Sequence, residues 1–111
     1  MAEERQAAAR EVSRHVKVVL QTPEVRIAEY TMVPGEAHPW HYHSEVSDRV
    51  YCLEGVIGVD IRTPPETHRL LPGDCYEVPP GTVHHVGNPG QAAGRYLLVQ
   101  ARGKYDFIRA D

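Results

Sequence analysis

Histidine is the residue type in this chain with the clearest potential for chemistry. The chain has seven histidines among 111 residues. Five of them fall into two tight groups, one formed by His38, His41 and His43 and the other by His84 and His85. Neutral imidazole is the commonest protein ligand for transition metals. Clustered histidines therefore suggest a metal site, although surface histidines remain the competing interpretation.

The spacing within each group restricts which rings can share an ion. His41 and His43 are two residues apart in a segment typical of a β-strand, and residues i and i+2 of a strand point to the same face. His84 and His85 are adjacent, so only one of them can point toward the same ion. The third imidazole would therefore be that of His84 or His85, which the fold must bring to His41 and His43 from a distant part of the chain. An added carboxylate would complete a nitrogen and oxygen site suited to one divalent ion of Fe, Mn, Ni, Co or Zn.

The elements that must position these rings are short strands. From residue 16 onward the chain consists of stretches rich in Val, Ile, Leu and Tyr that Pro and Gly interrupt. Regular strand spacing with turn signals between the strands indicates an all-β sandwich or barrel. Residues 1–14 differ in composition and are expected to be an N-terminal extension, either a short helix or a frayed tail, before a domain over 15–111. The predicted strands are 16–21, 25–33, 37–43, 49–54, 56–62, 67–71, 74–78, 83–87 and 95–101.

Composition excludes several classes of protein. The length of 111 residues suits one small domain. A net charge of −3 argues against a nucleic-acid partner. No apolar run approaches the roughly 18 residues of a spanning helix, so no membrane span is predicted. No secretory signal is recognisable, so we expect a cytoplasmic protein in which Cys52 and Cys75 are reduced.

Two motifs in this chain resemble those of the cupin superfamily, over roughly residues 16–101. The first motif runs from Gly35 through His41-Tyr-His43 to Gly55. The second motif has the pattern Gly, five residues, Pro-x-Gly, two residues, His, three residues, Asn. Its fixed positions are all met here, by Gly73, Pro79, Gly81, His84 and Asn88. The resemblance implies a small double-sheet β-barrel of the cupin or jelly-roll type.

By position, the resemblance implies that His41, His43 and His84 bind the metal. The carboxylate ligand of the family is usually Glu, but its place is held here by Asp48, which is one methylene shorter. Asp48 is therefore the expected fourth ligand. Glu45 is an alternative carboxylate, and a site of three histidines with an extra open position is the third option. An Asp48 that is unbound or weakly bound could instead serve as a general base.

Two functions are compatible with this site. The first is a metal-dependent enzyme, dioxygenase-like or an isomerase or lyase, that acts on a small oxygenated molecule. The second is a metal and small-ligand binding or sensing module without turnover. A small-molecule ligand or substrate is expected in either case. The fold hosts many chemistries and does not choose between them.

Alternation also predicts the orientation of residues outside the ligand set. His85 should point away from His84. His38, Trp40 and Tyr42 share a parity opposite to His41, and Trp40 and Tyr42 should pack against an outer element or a second subunit. Because many small cupins are dimers, the resemblance favours a homodimer. The C-terminal segment with Phe107 is expected to cover a barrel end or a partner, without chemistry of its own.

Overall fold

The computed structural model describes residues 15–111, so the predicted helix or tail of residues 1–14 lies outside the described part. Residues 15–111 contain no helix with the length and apolarity that a membrane-spanning helix requires. Both cysteines are free thiols. The described residues form ten strands: β1 Val16–Gln21, β2 Val25–Met32, β3 His41–Tyr42, β4 Ser47–Glu54, β5 Ile57–Ile61, β6 Glu66–Leu70, β7 Cys75–Val78, β8 His84–Gly87, β9 Gly94–Ala101 and β10 Ile108–Arg109.

These strands form two antiparallel sheets of five strands each. The first sheet has the order β1-β2-β9-β4-β7, and the second has the order β10-β3-β8-β5-β6. The prediction of an all-β fold with two facing sheets is confirmed. The prediction of a closed barrel is not confirmed. Among the described residues, strand pairing ends at β1 and β7 in one sheet and at β10 and β6 in the other. The two sheets stack as an open jelly roll, held together by side chains rather than by a closed ring of hydrogen bonds.

Alternating burial within the strands builds the core between the sheets. Along β9, every second residue from Gly94 onward is buried, as expected when one face of a strand meets a core. Met32 and Tyr96 from the first sheet and Ile57 and Val59 from the second are at most 1% exposed. Each buried aliphatic side chain of this size contributes about 1.5–3 kcal/mol. These apolar side chains fill one part of the space between the sheets. Buried polar residues, among them His41, His43, Asp48 and His84, occupy another part.

One predicted strand was too long and one short strand was missed. The prediction of a continuous strand over 37–43 is wrong, because only His41–Tyr42 forms a strand and Ala37 makes an isolated bridge to Gly87. Pro39 lies between them and has no N–H to donate to a ladder. Strand β10 was not predicted, because two residues are too short to carry an alternating pattern.

Candidate metal centre

The four predicted ligands come from both sheets and meet between them. His41 in β3 and His84 in β8 are direct partners across the strands of the second sheet, so their side chains leave the same face. His43 follows β3 at once, and its backbone oxygen accepts a hydrogen bond from the N–H of Gly81 at 2.7 Å. This bond ties the turn that precedes His84 to the strand that carries His41. Asp48 reaches the group from β4 in the opposite sheet.

The cluster is compact and almost completely buried. His41 and His43 are each 3% exposed, Asp48 is 2% exposed and His84 is 1% exposed. One ligand atom from each of the four lies within 4.8 Å of the others. Ligands of one ion at about 2.0–2.2 Å stand about 3 to 4 Å apart, so a small inward movement suffices for all four to bind one ion. Asp48 Oδ2 lies 3.0 Å from the Nε2 atoms of both His43 and His84, so the shorter side chain does reach the centre.

Backbone carbonyls select the tautomer of all three rings. The Nδ1 atom lies 2.8 Å from the Pro39 oxygen in His41 and 2.8 Å from the Thr82 oxygen in His84. In His43 it lies 2.5 Å from the Asp106 oxygen. A carbonyl oxygen only accepts, so each Nδ1 must carry the proton and donate it. In the neutral ring, Nε2 then has a free lone pair, which is the arrangement found in metal-binding histidines.

With this tautomer, the centre of the cluster needs positive charge. The Nε2 lone pairs of His43 and His84 would face an Asp48 oxygen at 3.0 Å, and lone pairs at that distance repel each other. The arrangement is stable only with positive charge between these atoms. The donor set therefore fits a divalent metal ion, whose two positive charges would lie between the donor atoms.

The pKa values of the cluster have the same physical origin. Burial, with a further contribution from nearby His84, lowers the pKa of His41 to about 3, which keeps this ring neutral and available as a ligand. Burial would lower the pKa of His43, but the hydrogen bond to Asp48, the charge of Asp48 and the contacts with Asp106 together outweigh burial and raise it. Burial would raise the pKa of Asp48, yet the contacts with His43 and His84 hold it well below its usual range. Asp48 is therefore an anion at neutral pH.

A row of side chains on the inner face of the first sheet supports Asp48. Gln100 lies opposite Asp48 in the register of β9 and β4, and its Nε2 donates to Asp48 Oδ1 at 2.8 Å. On the other side, Arg26 of β2 lies opposite Gln100 and donates to Gln100 Oε1 at 3.3 Å and to the Tyr30 hydroxyl at 3.1 Å. Neither Gln100 nor Arg26 was predicted from the sequence to be part of the site. Alternation along β9 was the one signal that could have placed Gln100 on the inner face.

The C-terminal segment covers the cluster and contributes to it. Phe107 stacks on the His41 ring with centroids 4.2 Å apart and planes at 13°. The Tyr105 ring lies 5.5 Å from that of His43. Asp106 supplies the carbonyl that holds His43, and its carboxylate accepts hydrogen bonds from the N–H and hydroxyl of Ser44. The expectation that this segment has no chemical role was wrong in that respect.

The other histidines of the two groups lie outside the ligand cluster. His85 points away from His84, as predicted, and its Nε2 lies 2.7 Å from Asp60 Oδ2. Trp40 stacks on the His85 ring at 3.9 Å. The prediction that His38 shares the face of Trp40 was wrong. His38 lies against the core residue Tyr30, at 5.4 Å between ring centroids, because the backbone on either side of Pro39 does not continue one strand.

Glu45, the alternative carboxylate, is not part of the cluster. Its side chain is exposed, and its Oε1 accepts a hydrogen bond from the N–H of Lys104 at 3.2 Å. The carboxylate that the fold brings to the three histidines is that of Asp48.

Comparison with known proteins agrees with this architecture. Residues 28–100 match the family model described as the Cupin domain. "Germin-like protein subfamily T member 3" from Arabidopsis thaliana is 31% identical over 85 residues, which are 74% of this chain and 37% of that protein. The chain therefore spans little more than a third of this curated relative.

Solved structures share the fold. A conserved protein with a double-stranded β-helix domain from Klebsiella pneumoniae is 25% identical and has a TM-score of 0.75, with 86% of this chain and 82% of that chain covered. The polyketide cyclase RemF from Streptomyces resistomycificus is 19% identical and also has a TM-score of 0.75, covering 86% and 70% of the two chains. The matched residues 28–100 make up most of the described chain and include all four residues of the cluster. The protein belongs to the cupin domain family.

Proposed function

We propose that this cupin domain binds one divalent transition-metal ion through His41, His43, Asp48 and His84. The observation that carries the proposal is the orientation of the three rings. Each Nδ1 donates to a backbone carbonyl, and two of the Nε2 atoms face one carboxylate oxygen at 3.0 Å. Three imidazoles and one carboxylate suit Fe, Mn, Ni, Co or Zn.

Metal titration tests this proposal, and the neighbouring residue His85 provides the control. The protein is stripped with a chelator and titrated with Zn²⁺, Mn²⁺ and, without oxygen, Fe²⁺, while calorimetry measures stoichiometry and affinity. One ion per chain is expected for the ion that fits. His84→Ala should abolish tight binding, whereas His85→Ala should retain it, because the neighbouring ring points to the other face and contacts Asp60. Equal binding by both variants would refute the site.

We further propose that the domain is a metal-dependent enzyme, dioxygenase-like or an isomerase or lyase, that acts on a small oxygenated molecule. A bound ion would supply Lewis acidity toward an oxygen atom of that molecule, and an iron ion would add reactivity with dioxygen. The chain's own contribution is to hold the ligands rigidly and to exclude water. The burial of all four ligands and the aromatic cover of Phe107 support that role.

Asp48 serves in this proposal as a ligand rather than as a general base. Both of its oxygens are engaged, Oδ1 by Gln100 and Oδ2 by two histidines. Its lowered pKa makes it a weak acceptor of a substrate proton at neutral pH.

Turnover assays separate an enzyme from a binding module. The metal-loaded protein is incubated with diketones, catechols and sugar acids while oxygen uptake and product formation are followed. Oxygen uptake that requires Fe²⁺ and that His84→Ala abolishes would support a dioxygenase, and oxygen-independent conversion would support an isomerase or lyase. Tight ligand binding with no product under any metal would instead identify a binding or sensing module. The homodimer that the resemblance to small cupins favours stays a prediction.

A further inference from the structure

Arg26 is a half-buried cation whose hydrogen-bond partners are neutral. Its Nη1 donates to the Tyr30 hydroxyl and to the amide oxygen of Gln100. Arg49 and Arg95, in contrast, pair with the carboxylates of Glu77 and Glu29. Within residues 15–111, no carboxylate lies at ion-pair distance from Arg26. Among the described residues this partly desolvated guanidinium has no counter-ion, which is costly, so the position is favourable for an anionic ligand.

The register of the strands places Arg26 next to the metal centre. Arg26 lies opposite Gln100 in β9, and Gln100 lies opposite Asp48 in β4. Neighbouring strands are about 4.7–4.9 Å apart, so the Cα atoms of Arg26 and Asp48 are about 10 Å apart across the inner face. The amide of Gln100 bridges the two residues, since it accepts from Arg26 and donates to Asp48.

Tyr105 connects the same arginine to the outer end of the centre. The Arg26 guanidinium carbon lies 5.9 Å from the centre of the Tyr105 ring, and that ring lies 5.5 Å from the ring of His43. Tyr105 is 45% exposed, so one side of its ring faces solvent. Arg26, Tyr105 and His43 therefore lie side by side at this end of the centre.

We propose that Arg26 binds a carboxylate group of the molecule that occupies the metal centre, so that the substrate or ligand is a small organic acid. The inference rests on the proposed metal site and specifies its substrate class. One oxygen of the acid would lie at the ion, and its carboxylate would lie against the guanidinium, whose planar fork suits a carboxylate. The positive charge of Arg26 also offsets the repulsion that the anionic Asp48 would exert on an acidic ligand.

Succinate and its monoamide, succinamate, provide a matched pair of probes. Both carry one carboxylate for the ion, but succinamate presents a neutral amide at the other end. We expect the zinc-loaded protein to bind succinate about tenfold more tightly than succinamate, as measured by calorimetry, because a hydrogen bond between charged groups is replaced by a weaker one.

The arginine variants assign this preference to Arg26. Arg26→Gln should bind the two probes equally and should still take up one zinc ion. Arg26→Lys should restore part of the preference, because the charge is retained. Arg49→Gln, which removes an exposed arginine of the same sheet, should keep the full preference. A structural role of Arg26 would change the melting temperature without changing the ratio of the two affinities.

The same titrations without zinc distinguish a failure of this inference from a failure of the metal site. If the wild-type protein takes up no zinc but still binds succinate, and Arg26→Gln loses that binding, the anion site stands and the metal site is refuted. If zinc binds and the wild-type protein does not discriminate between the probes, or if Arg26→Gln discriminates as well as the wild type, the role of Arg26 is refuted.

Discussion

The Nδ1 atom of His43 lies 2.5 Å from the backbone oxygen of Asp106, which is 63 positions later in the chain. Because the bond is made to the backbone, it depends on where the segment lies rather than on which side chain stands at position 106. The C-terminal segment thereby holds one ring of the centre in the tautomer that metal binding requires. The same segment places Phe107 on His41, so closure of the site and orientation of its ligands depend on one piece of chain.

Removing the aromatic cover should loosen the centre. Phe107→Ala should lower the free energy of unfolding by about 1 to 3 kcal/mol, less than for a fully buried phenylalanine. It should also accelerate the loss of metal to a chelator, because water gains access to the rings. Stopped-flow extraction of bound Co²⁺ measures that rate. Leu71→Ala removes an exposed apolar side chain and should change neither quantity; unchanged extraction in Phe107→Ala would refute the covering role.

The carboxylate of the centre can be tested by removing it. Asp48→Ala should weaken metal retention tenfold or more, as expected for the loss of a ligand. Metal content after dialysis against a graded chelator measures the effect. Glu45→Ala is the matched control, since Glu45 is exposed and bonded to the Lys104 backbone. Unchanged metal content in Asp48→Ala would mean that three histidines form the site.

Gln100 should raise the metal affinity of the site although it is not itself a ligand. Gln100→Leu removes the donor to Asp48 Oδ1, which leaves that oxygen buried without its partner, and we expect metal affinity to fall about tenfold. Gln100→Glu should weaken binding further, because a second carboxylate would repel Asp48 and raise its pKa. Isothermal calorimetry with Zn²⁺ ranks the two variants. A Gln100→Glu protein that binds as tightly as the wild type would contradict this arrangement.

Metal binding should depend on pH in a defined direction. The hydrogen bond to Asp48 raises the pKa of His43, so protonated His43 stabilises the metal-free protein below about pH 6.5, and this stability is lost as pH rises through the raised value. A metal ion must displace that proton, so its affinity should increase over the same interval and level off above it. The rise in melting temperature on adding Zn²⁺ should therefore be larger at pH 8 than at pH 5.5. A pH-independent rise would contradict the role of His43.

Asn88 should matter for stability rather than for the metal. It is 3% exposed, its Nδ2 donates to the oxygens of Met32 and Ala92, and its Oδ1 accepts from the N–H of Gly90. Asn88→Ala leaves these backbone groups without partners and should cost about 2–4 kcal/mol. Urea unfolding measures the loss, while zinc stoichiometry at low temperature should stay at that of the wild type. A cost close to that of an exposed substitution such as Gln21→Ala would contradict this role.

The sequence predicted most of the strands, because alternation and turn residues are local signals. Strand β1 begins and ends where the pattern placed it, and β8 and β9 differ from their predicted bounds by one residue. The residues of the cluster were also accessible, since two motifs that resemble those of the cupins point to His41, His43 and His84, and counting from His43 places a carboxylate at Asp48. The prediction of a strand over 37–43 was wrong because Pro39 has no backbone N–H to donate to a neighbouring strand.

What the sequence alone determined is therefore which residues alternate, where the chain turns and which side chains are chemically suited to a metal. Only the tertiary structure decided that Gln100 stands opposite Asp48, that Arg26 continues the same row and that the Asp106 carbonyl reaches His43. The physical reason is the distance along the chain between the residues that determine each feature. Alternation is set within a few residues by the geometry of one strand, whereas strand register and the course of the C-terminal segment depend on how the two sheets pack around a shared interior.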